Sequence, residues 1–596
     1  MNLFTRPYMS LSDIRQLSES LQKKDALYEL TGTTESALPG VIHALGEGIP
    51  WKILICENET SARALYEELS FFEDNCIYYP AKDILFYQAD ISSNTLTRER
   101  ICALHSVYSS ESGLVVTTCE ALMNRIPGPE MMTESVIKIR DGEDLDLSLL
   151  KRDLLKLGYT FETQVSGPGE FASRGGIIDI FPLTEQEPVR IELWDTMVDS
   201  IRTFDPGTQK STGQKDEVRI YPALELSVSE KAMSAGTDRM RREMEKLYET
   251  YRKEMKTEEA FRLKSDIGRI IEGLEEGYLP GEAESFITYF SEDTYSILDH
   301  LPKDTAVFIN EPAHICERME TLEKVFTESM IRRIEKGYAL PGQSDMLFSA
   351  ASIEGRLEGK RGVMLSALGA NLPWKPKARY FVRTVPVNAY GGSVELLVKE
   401  LSAYSKRKMR VILCSQSRTR ARRLADDLRE LGVRAYYSEN ADAELAEGDV
   451  LLTAAPLRAG FELPEGGYVF IAETDIFGSQ VKKKKRRKRY EGGERISSLS
   501  DLMTGDYVVH ESYGLGVYQG MERIERDHVV RDYIKIGYAK GSNLYVLATQ
   551  LDAISKYGAM TDKKPKLNTL GGGEWSKTKQ RVKEAVTQVA QDLVEL

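Results

Sequence analysis

The chain has 596 residues, a formal net charge of −13 and 41% hydrophobic residues, enough for several cores and, at about 150 residues per domain, for roughly four domains. The acidic bulk excludes a nucleic-acid binder that works through a global positive field and leaves only local basic islands for such contacts. Six singly spaced cysteines with no Cys-x-x-Cys pair exclude a disulfide framework or zinc ribbon and indicate a reducing cytoplasm, while no apolar run nears the about 18 residues of a membrane span and no secretory pattern is present.

The first predicted strand, near residues 26–30, runs into Thr31-Gly32-Thr33-Thr34-Glu35-Ser36 and a helix through Val41, Ile42 and Leu45. That is where a phosphate-binding loop would sit. The apolar run at 52–56, a helix through Ala62, Leu65 and Leu69, and the run at 113–118 continue a parallel α/β pattern. Alternating strands at about 140–223 then form a β-rich insertion, followed by a charged helical stretch at 230–277 and a buried strand at 306–309. These segments predict an α/β module over 1–345 with the insertion inside it.

Pro373 and Pro376 close a predicted linker at 346–376, after which strands at 410–413 and 449–453 mark a second, smaller α/β domain over 377–479. The run at 449–453 with Pro456-Leu457 echoes the run at 113–118 with Ala121-Leu122, as in a repeated fold. A basic linker at 480–498 carries Lys482, Lys483, Lys484, Lys485, Arg486, Arg487, Lys488 and Arg489. Such a run is either a solvated linker or a phosphate-contacting arm, and composition alone does not choose. Short strands over 499–560 predict a small β-barrel. In 561–596, Val582, Val586, Val589, Ala590 and Leu593 mark an amphipathic helix.

The expected chemistry is missing. A phosphate-binding loop needs a glycine before a lysine, so that backbone amides cradle the phosphates and the ammonium neutralises them. Beyond Gly32 the corresponding places hold Thr34, Glu35 and Ser36, and a carboxylate facing a triphosphate costs on the order of 1 kcal/mol even in water. The acidic pair that would organise Mg²⁺ after the 306–309 strand reads Asn310-Glu311. Asparagine lacks the anionic charge that a hard cation favours. Six histidines without metal-ligand spacing and no Gly-x-Ser-x-Gly elbow complete a chain expected to have no catalytic residues, no metal and no cofactor.

The most informative stretch is Gly-Glu-Phe-Ala-Ser-Arg-Gly-Gly-Ile-Ile-Asp-Ile-Phe-Pro at 169–182, a glycine-rich bend beside an alternating strand. With Val-Arg-Ile-Glu-Leu-Trp at 189–194, Ile-Arg-Thr-Phe-Asp at 201–205 and Ile-Tyr-Pro-Ala at 220–223, it resembles the domain through which the excision-repair protein UvrB and the transcription-repair coupling factors meet the damage sensor UvrA. The glycine-punctuated segment at 501–520, containing Gly505, Gly514, Gly516 and Gly520, resembles the RNA polymerase interaction module of the coupling factors and of CarD-like regulators. UvrB has no such module, so the chain is identified as a member of the coupling-factor family.

The resemblance implies a UvrB-like module that has lost its nucleotide site, a degenerate α/β spacer and a polymerase-binding barrel with an exposed edge near 521–525. Phe171, Arg174, Arg190 and Glu192 are implied as UvrA contacts, although Ala172 stands where UvrB has a second arginine. Glu522, Arg523 and Ile524 are implied as contacts to the polymerase β subunit, with Ile524 the apolar one. The family pattern further implies that this chain is an amino-terminal fragment, with ATP, Mg and most double-stranded DNA contact belonging to a motor beyond it. It is thus expected to be a coupling scaffold rather than an enzyme. Two other readings are an active UvrB-like, ATP-dependent damage-binding helicase, and a nucleic-acid adaptor acting through 482–489.

Overall fold

A computed structural model describes the chain apart from residues 1–2, 24–25, 83–93, 130–134, 227–228, 277–278, 280, 292, 368, 370–373, 441–442, 479–493, 496–504, 511–512, 527–528, 540–541, 548–553, 557–566 and 569–596. It divides into two compact units, the first reaching residue 481 and the second holding the residues from 482 on.

The first unit is organised by a seven-stranded, all-parallel sheet in the order Arg379–Phe381, Leu27–Thr31, Gly362–Ser366, Ala306–Asn310, Trp51–Cys56, Gly113–Thr118, Cys76–Tyr79. Its central strands are buried along their whole length, which is why they read as unbroken apolar runs. Side-chain caps start the helices beside them: Asn58 accepts from the Ser61 amide at 3.0 Å and Thr118 from the Ala121 amide at 3.2 Å.

One expectation is overturned here. The stretch at 346–376 is not a linker. It contributes the helix Ala350–Leu357, the central strand Gly362–Ser366 and the buried Trp374, whose indole donates to the Glu354 carbonyl. The second α/β region is likewise not set apart by a spacer. Arg379–Phe381 completes the first sheet, and a single apolar core runs from Leu3, Tyr8 and Leu11 through both sheets to Phe461 and Phe470. Tyr8 lies stacked on Phe470 at 6.3 Å and donates to the Ala37 carbonyl.

The second sheet has the order Val385–Pro386, Phe461–Leu463, Tyr468–Ala472, Arg410–Ser415, Val450–Ala454, Ala435–Tyr437. In both sheets a strand leads through a helix to the edge strand, and the following strand inserts between the two. Trp51–Cys56, Cys76–Tyr79 and Gly113–Thr118 follow this path, as do Arg410–Ser415, Ala435–Tyr437 and Val450–Ala454. The internal repeat expected from 113–118 and 449–453 is therefore a shared topology.

The insertion is a six-stranded sheet in the order Ser211–Lys215, Met197–Phe204, Val189–Trp194, Ile177–Ile180, Glu170–Arg174, Thr160–Phe161, antiparallel except for its last pair. Its inner face packs Phe171, Ile178, Ile180, Val189, Ile191 and Ile201 on Leu150 and Leu154 of the helix Leu147–Lys156, and on Ile101 of the helix Asn94–Ser109. The charged stretch forms two helices, Glu230–Lys253 and Thr257–Glu275, packed on each other. Among the described residues no helix is long and apolar enough to cross a membrane.

A buried ionic network joins these parts. Glu225, fully buried, accepts from Arg100 Nε at 2.9 and 2.8 Å and from Lys82 Nζ at 2.7 Å, while its own amide donates to Glu284. Arg100, also fully buried, lies over the Tyr79 ring at 4.2 Å and donates to the Tyr79 hydroxyl, the Pro80 carbonyl and Asn124 Oδ1. Burial by itself would raise the Glu225 carboxyl, but Arg100 and Lys82 outweigh it and hold the group at about 2.

The second unit is an antiparallel sheet in the order Glu494–Arg495, Ile554–Lys556, Tyr507–His510, Gly514–Arg526, Val529–Gly537, Asn543–Leu547. A small antiparallel sheet is thus present where short strands were expected. The amphipathic helix expected at 582–593 and the basic run at 482–489 lie outside the described residues.

Because its pKa is depressed on folding, Glu225 contributes stability that is complete above the unfolded value near 4.5 and is lost as pH falls towards about 2. Urea unfolding across this window is expected to show the loss in the parent and a flatter profile in Glu225→Gln; equal profiles would contradict the assignment.

Candidate functional site

Pairing across the inserted sheet sets out its two faces. One row aligns Ala172, Asp179, Arg190 and Arg202, and the next aligns Arg174, Ile177, Glu192 and Ser200. Both rows point away from the inner core because side chains alternate along each strand. Arg174 and Glu192 thus share a row two strands apart, about 10 Å at the usual strand spacing. The bend between Arg174 and Ile177 is a two-residue turn in which Gly175 takes φ +58, a value that favours glycine.

The four expected contact residues separate into different roles. Arg174 is exposed and donates Nη2 to the Thr163 carbonyl at 2.8 Å. Glu192 is half-buried and accepts from the Ser200 hydroxyl at 3.3 Å, with Arg202 Nη2 at 3.4 Å. Arg190 is held within the sheet: it donates to both Asp179 oxygens at 2.7 and 2.8 Å, reaches Gln209, and covers the Phe204 ring at 4.6 Å. Its hydrogen bond to Asp179 raises the guanidinium further above its ordinary value. Phe171 points to the opposite face and is 1% exposed, so it is a core residue and is corrected as a surface contact. Phe161, edge-on to Phe171 at 5.3 Å, carries the exposed ring instead.

The same end of the outer face holds residues that the sequence motif did not single out. Trp194, 77% exposed, lies two positions beyond Glu192 on the same side, with Met197 and Ile177 also exposed. A bare tryptophan beside an arginine and a carboxylate is the composition of a protein-binding hot spot rather than of a solvated strand. Its sequence signal was its place in the alternation, on the side of Arg190 and Glu192.

The loop after Leu27–Thr31 is closed by the chain itself. The Thr34 amide, which would face a phosphate, donates to Thr384 Oγ1 at 2.6 Å, and the Thr384 amide donates to the Gly32 carbonyl at 3.1 Å. Gly32, at φ +85, lets this segment approach so closely that a Cβ there would stand 2.6 Å from the Phe381 ring and 2.8 Å from the Val382 carbonyl oxygen. Glu35 stays exposed, Asn310 is buried, and the Glu311 carboxylate accepts from the Ala367 amide at 2.8 Å.

The equivalent crevice of the second sheet is filled in the same way. Glu473 accepts from Ser415 Oγ at 2.6 Å, the Gln416 amide at 3.1 Å and Arg420 Nη1 at 2.7 Å, where the sheet's strand order reverses and such folds bind ligands. Burial would raise this carboxyl, but those donors hold it below its ordinary value.

In the second unit, Tyr507–His510 pairs with Gly514–Arg526 only along residues 514–517. Met521 to Glu525 therefore have a strand neighbour on one side only among the described pairings. Glu522 is exposed and accepts from Lys535 Nζ at 2.8 Å. The side chains of Arg523 and Ile524 lie outside the described residues, as do the eight basic residues at 482–489.

Comparison with known proteins adds three domain matches: a UvrB interaction domain at 137–226, an MFD D3 domain at 404–476 and a CarD-like/TRCF RID domain at 502–558. The chain is 31% identical over 593 residues to the transcription-repair-coupling factor of Bacillus subtilis (strain 168), covering 98% of this chain and 49% of that protein. It is 32% identical over 554 residues to that of Staphylococcus aureus (strain MRSA252), covering 91% and 46%. The chain belongs to the transcription-repair-coupling factors. It spans about half the length of the curated relatives it matches. For this coupling-factor chain the Arg174–Trp194 surface falls within the UvrB interaction domain, and the one-sided strand segment within the RID domain.

Calorimetric titration with Mg-ATP up to about 1 mM is expected to show no saturable heat, because Thr384 already holds the Thr34 amide and closes the loop. Saturable binding would mean that the Thr384 segment opens to admit a nucleotide.

Proposed function

We propose that this chain is a coupling scaffold in transcription-coupled repair. It binds UvrA through the Arg174, Glu192 and Trp194 end of the inserted sheet. It binds the RNA polymerase β subunit by strand addition at Met521 to Glu525, with Ile524 as the apolar contact and Glu522 and Arg523 beside it. The observation that carries this reading is one chain holding a UvrB interaction domain and a CarD-like/TRCF RID domain, the former with an exposed tryptophan and arginine and a half-buried carboxylate on one face. We assign this chain a binding role without catalysis, in the cytoplasm. ATP, Mg and translocation on double-stranded DNA to displace stalled polymerase are assigned to the rest of the coupling-factor length. The closed loop at Thr34 and Thr384 weighs against an active UvrB-like helicase.

Arg174→Ala is expected to weaken UvrA binding about tenfold, or ~1.4 kcal/mol, and to flatten its salt dependence. Arg190→Ala should instead lower the unfolding temperature by stranding Asp179. Equal UvrA affinity of parent and Arg174→Ala, by biolayer interferometry, would remove Arg174 from the interface.

Pull-down on purified polymerase β subunit is expected to retain the parent and lose Ile524→Arg, with UvrA capture unchanged in both. Retention of Ile524→Arg would place the polymerase contact elsewhere. Deleting 482–489 is expected to leave polymerase binding intact; loss of DNA binding on that deletion would favour the basic nucleic-acid adaptor.

A further inference from the structure

The UvrB interaction domain joins the rest of its unit by two chain crossings, and domains tethered in that way are free to hinge unless their interface holds them. Here the helix Asn94–Ser109 forms that interface. Arg98 donates to the Leu183 and Glu185 carbonyls at 2.9 and 2.7 Å, and Ile101 enters the domain's core. Arg100 reaches Glu225, at the exit of the domain.

We propose that Arg100 and Glu225 are positioning residues, which hold the Arg174–Trp194 end of the sheet at one angle for a partner. This rests on the UvrA reading for the partner's identity alone. The argument is electrostatic. Arg100 is fully enclosed with one carboxylate among its acceptors; the others, Pro80, Tyr79 and Asn124, are neutral. Removing that carboxylate leaves a buried cation uncompensated, and the least costly relief is to part the domain from the helix and let water reach the guanidinium. Such parting takes Ile101 out of the inner core of the sheet, while Leu150 and Leu154 stay with the domain and keep the rest of that core covered. The pair thus controls docking more than folding.

The test is single-molecule energy transfer between dyes at exposed positions Ser112 and Ser211, attached through azide-bearing residues because native thiols are present. The parent is expected to give one narrow population and Glu225→Gln a broadened or second one. Arg100→Met combined with Glu225→Leu should restore the narrow population, because an apolar pair removes the stranded charge. Arg98→Ala, which removes carbonyl contacts and strands no carboxylate, serves as the second variant should Glu225→Gln lose its circular dichroism, and is expected to broaden less. If the docked fraction drops to about a tenth, UvrA Kd should rise about tenfold. A single narrow population in every folded variant would overturn the proposal. The distance is read without UvrA, so a parent that fails to bind UvrA would refute the function reading and leave the positioning result to stand or fall by itself.

Discussion

One buried pair, Arg100 with Glu225, ties together the elements of the first unit that carry its surfaces. It connects the edge strand of the parallel sheet, the helix beside it, the exit of the inserted sheet and, through Lys82 and Glu284, the helical region. A buried salt bridge is a poor source of net stability, because desolvating both ions offsets most of their attraction. What it supplies is geometric selectivity. An alternative docking that separates the ions leaves charges without water or partners, whereas an apolar interface would tolerate sliding. The ring of Tyr79 under the guanidinium and the Asn124 amide narrow the choice further.

Around that pair the fold is a parallel α/β frame whose loop after Leu27–Thr31 is closed by the chain itself. The central strands of both parallel sheets are stabilised by burial on two faces, which is indifferent to what the loops at their ends contain. With Thr34 and Glu35 in this loop, the neighbouring segment at Thr384 settles against it. Thr384 satisfies the amide that a phosphate would have met. Glu473 does the same in the second sheet. Such internal partners resolve the cost of unpaired backbone donors. They also join the two sheets, since the segment that fills the first cradle leads directly into the second.

The inserted sheet shows how a binding surface is separated from the core that carries it. Arg190 has the residue type of an interface arginine, but two bonds to Asp179 and its cover of Phe204 make it part of the sheet's own small outer core. Arg174 and Trp194, near the turns at one end, are left to face solvent. Turns can present side chains that strands would bury, so the exposed residues gather there.

By itself the sequence determined the parallel α/β character, the β-rich insertion, the charged helical stretch and the short strands after residue 504, because each rests on local periodicity and on the residues that begin and end elements. The departure of Thr34, Glu35 and Asn310 from a phosphate-binding pattern is likewise a matter of residue identity and legible there. Tertiary structure alone decided that 346–376 is no linker. The five residues Gly362–Ser366 become a central strand only by pairing with Leu27–Thr31 and Ala306–Asn310, partners remote in sequence that no local pattern announces. It decided, too, which side of an alternating strand faces inward. Alternation separates Phe171 from Ala172 and Trp194 from Leu193, but only the helix packed against one face makes Phe171 core and leaves Trp194 bare.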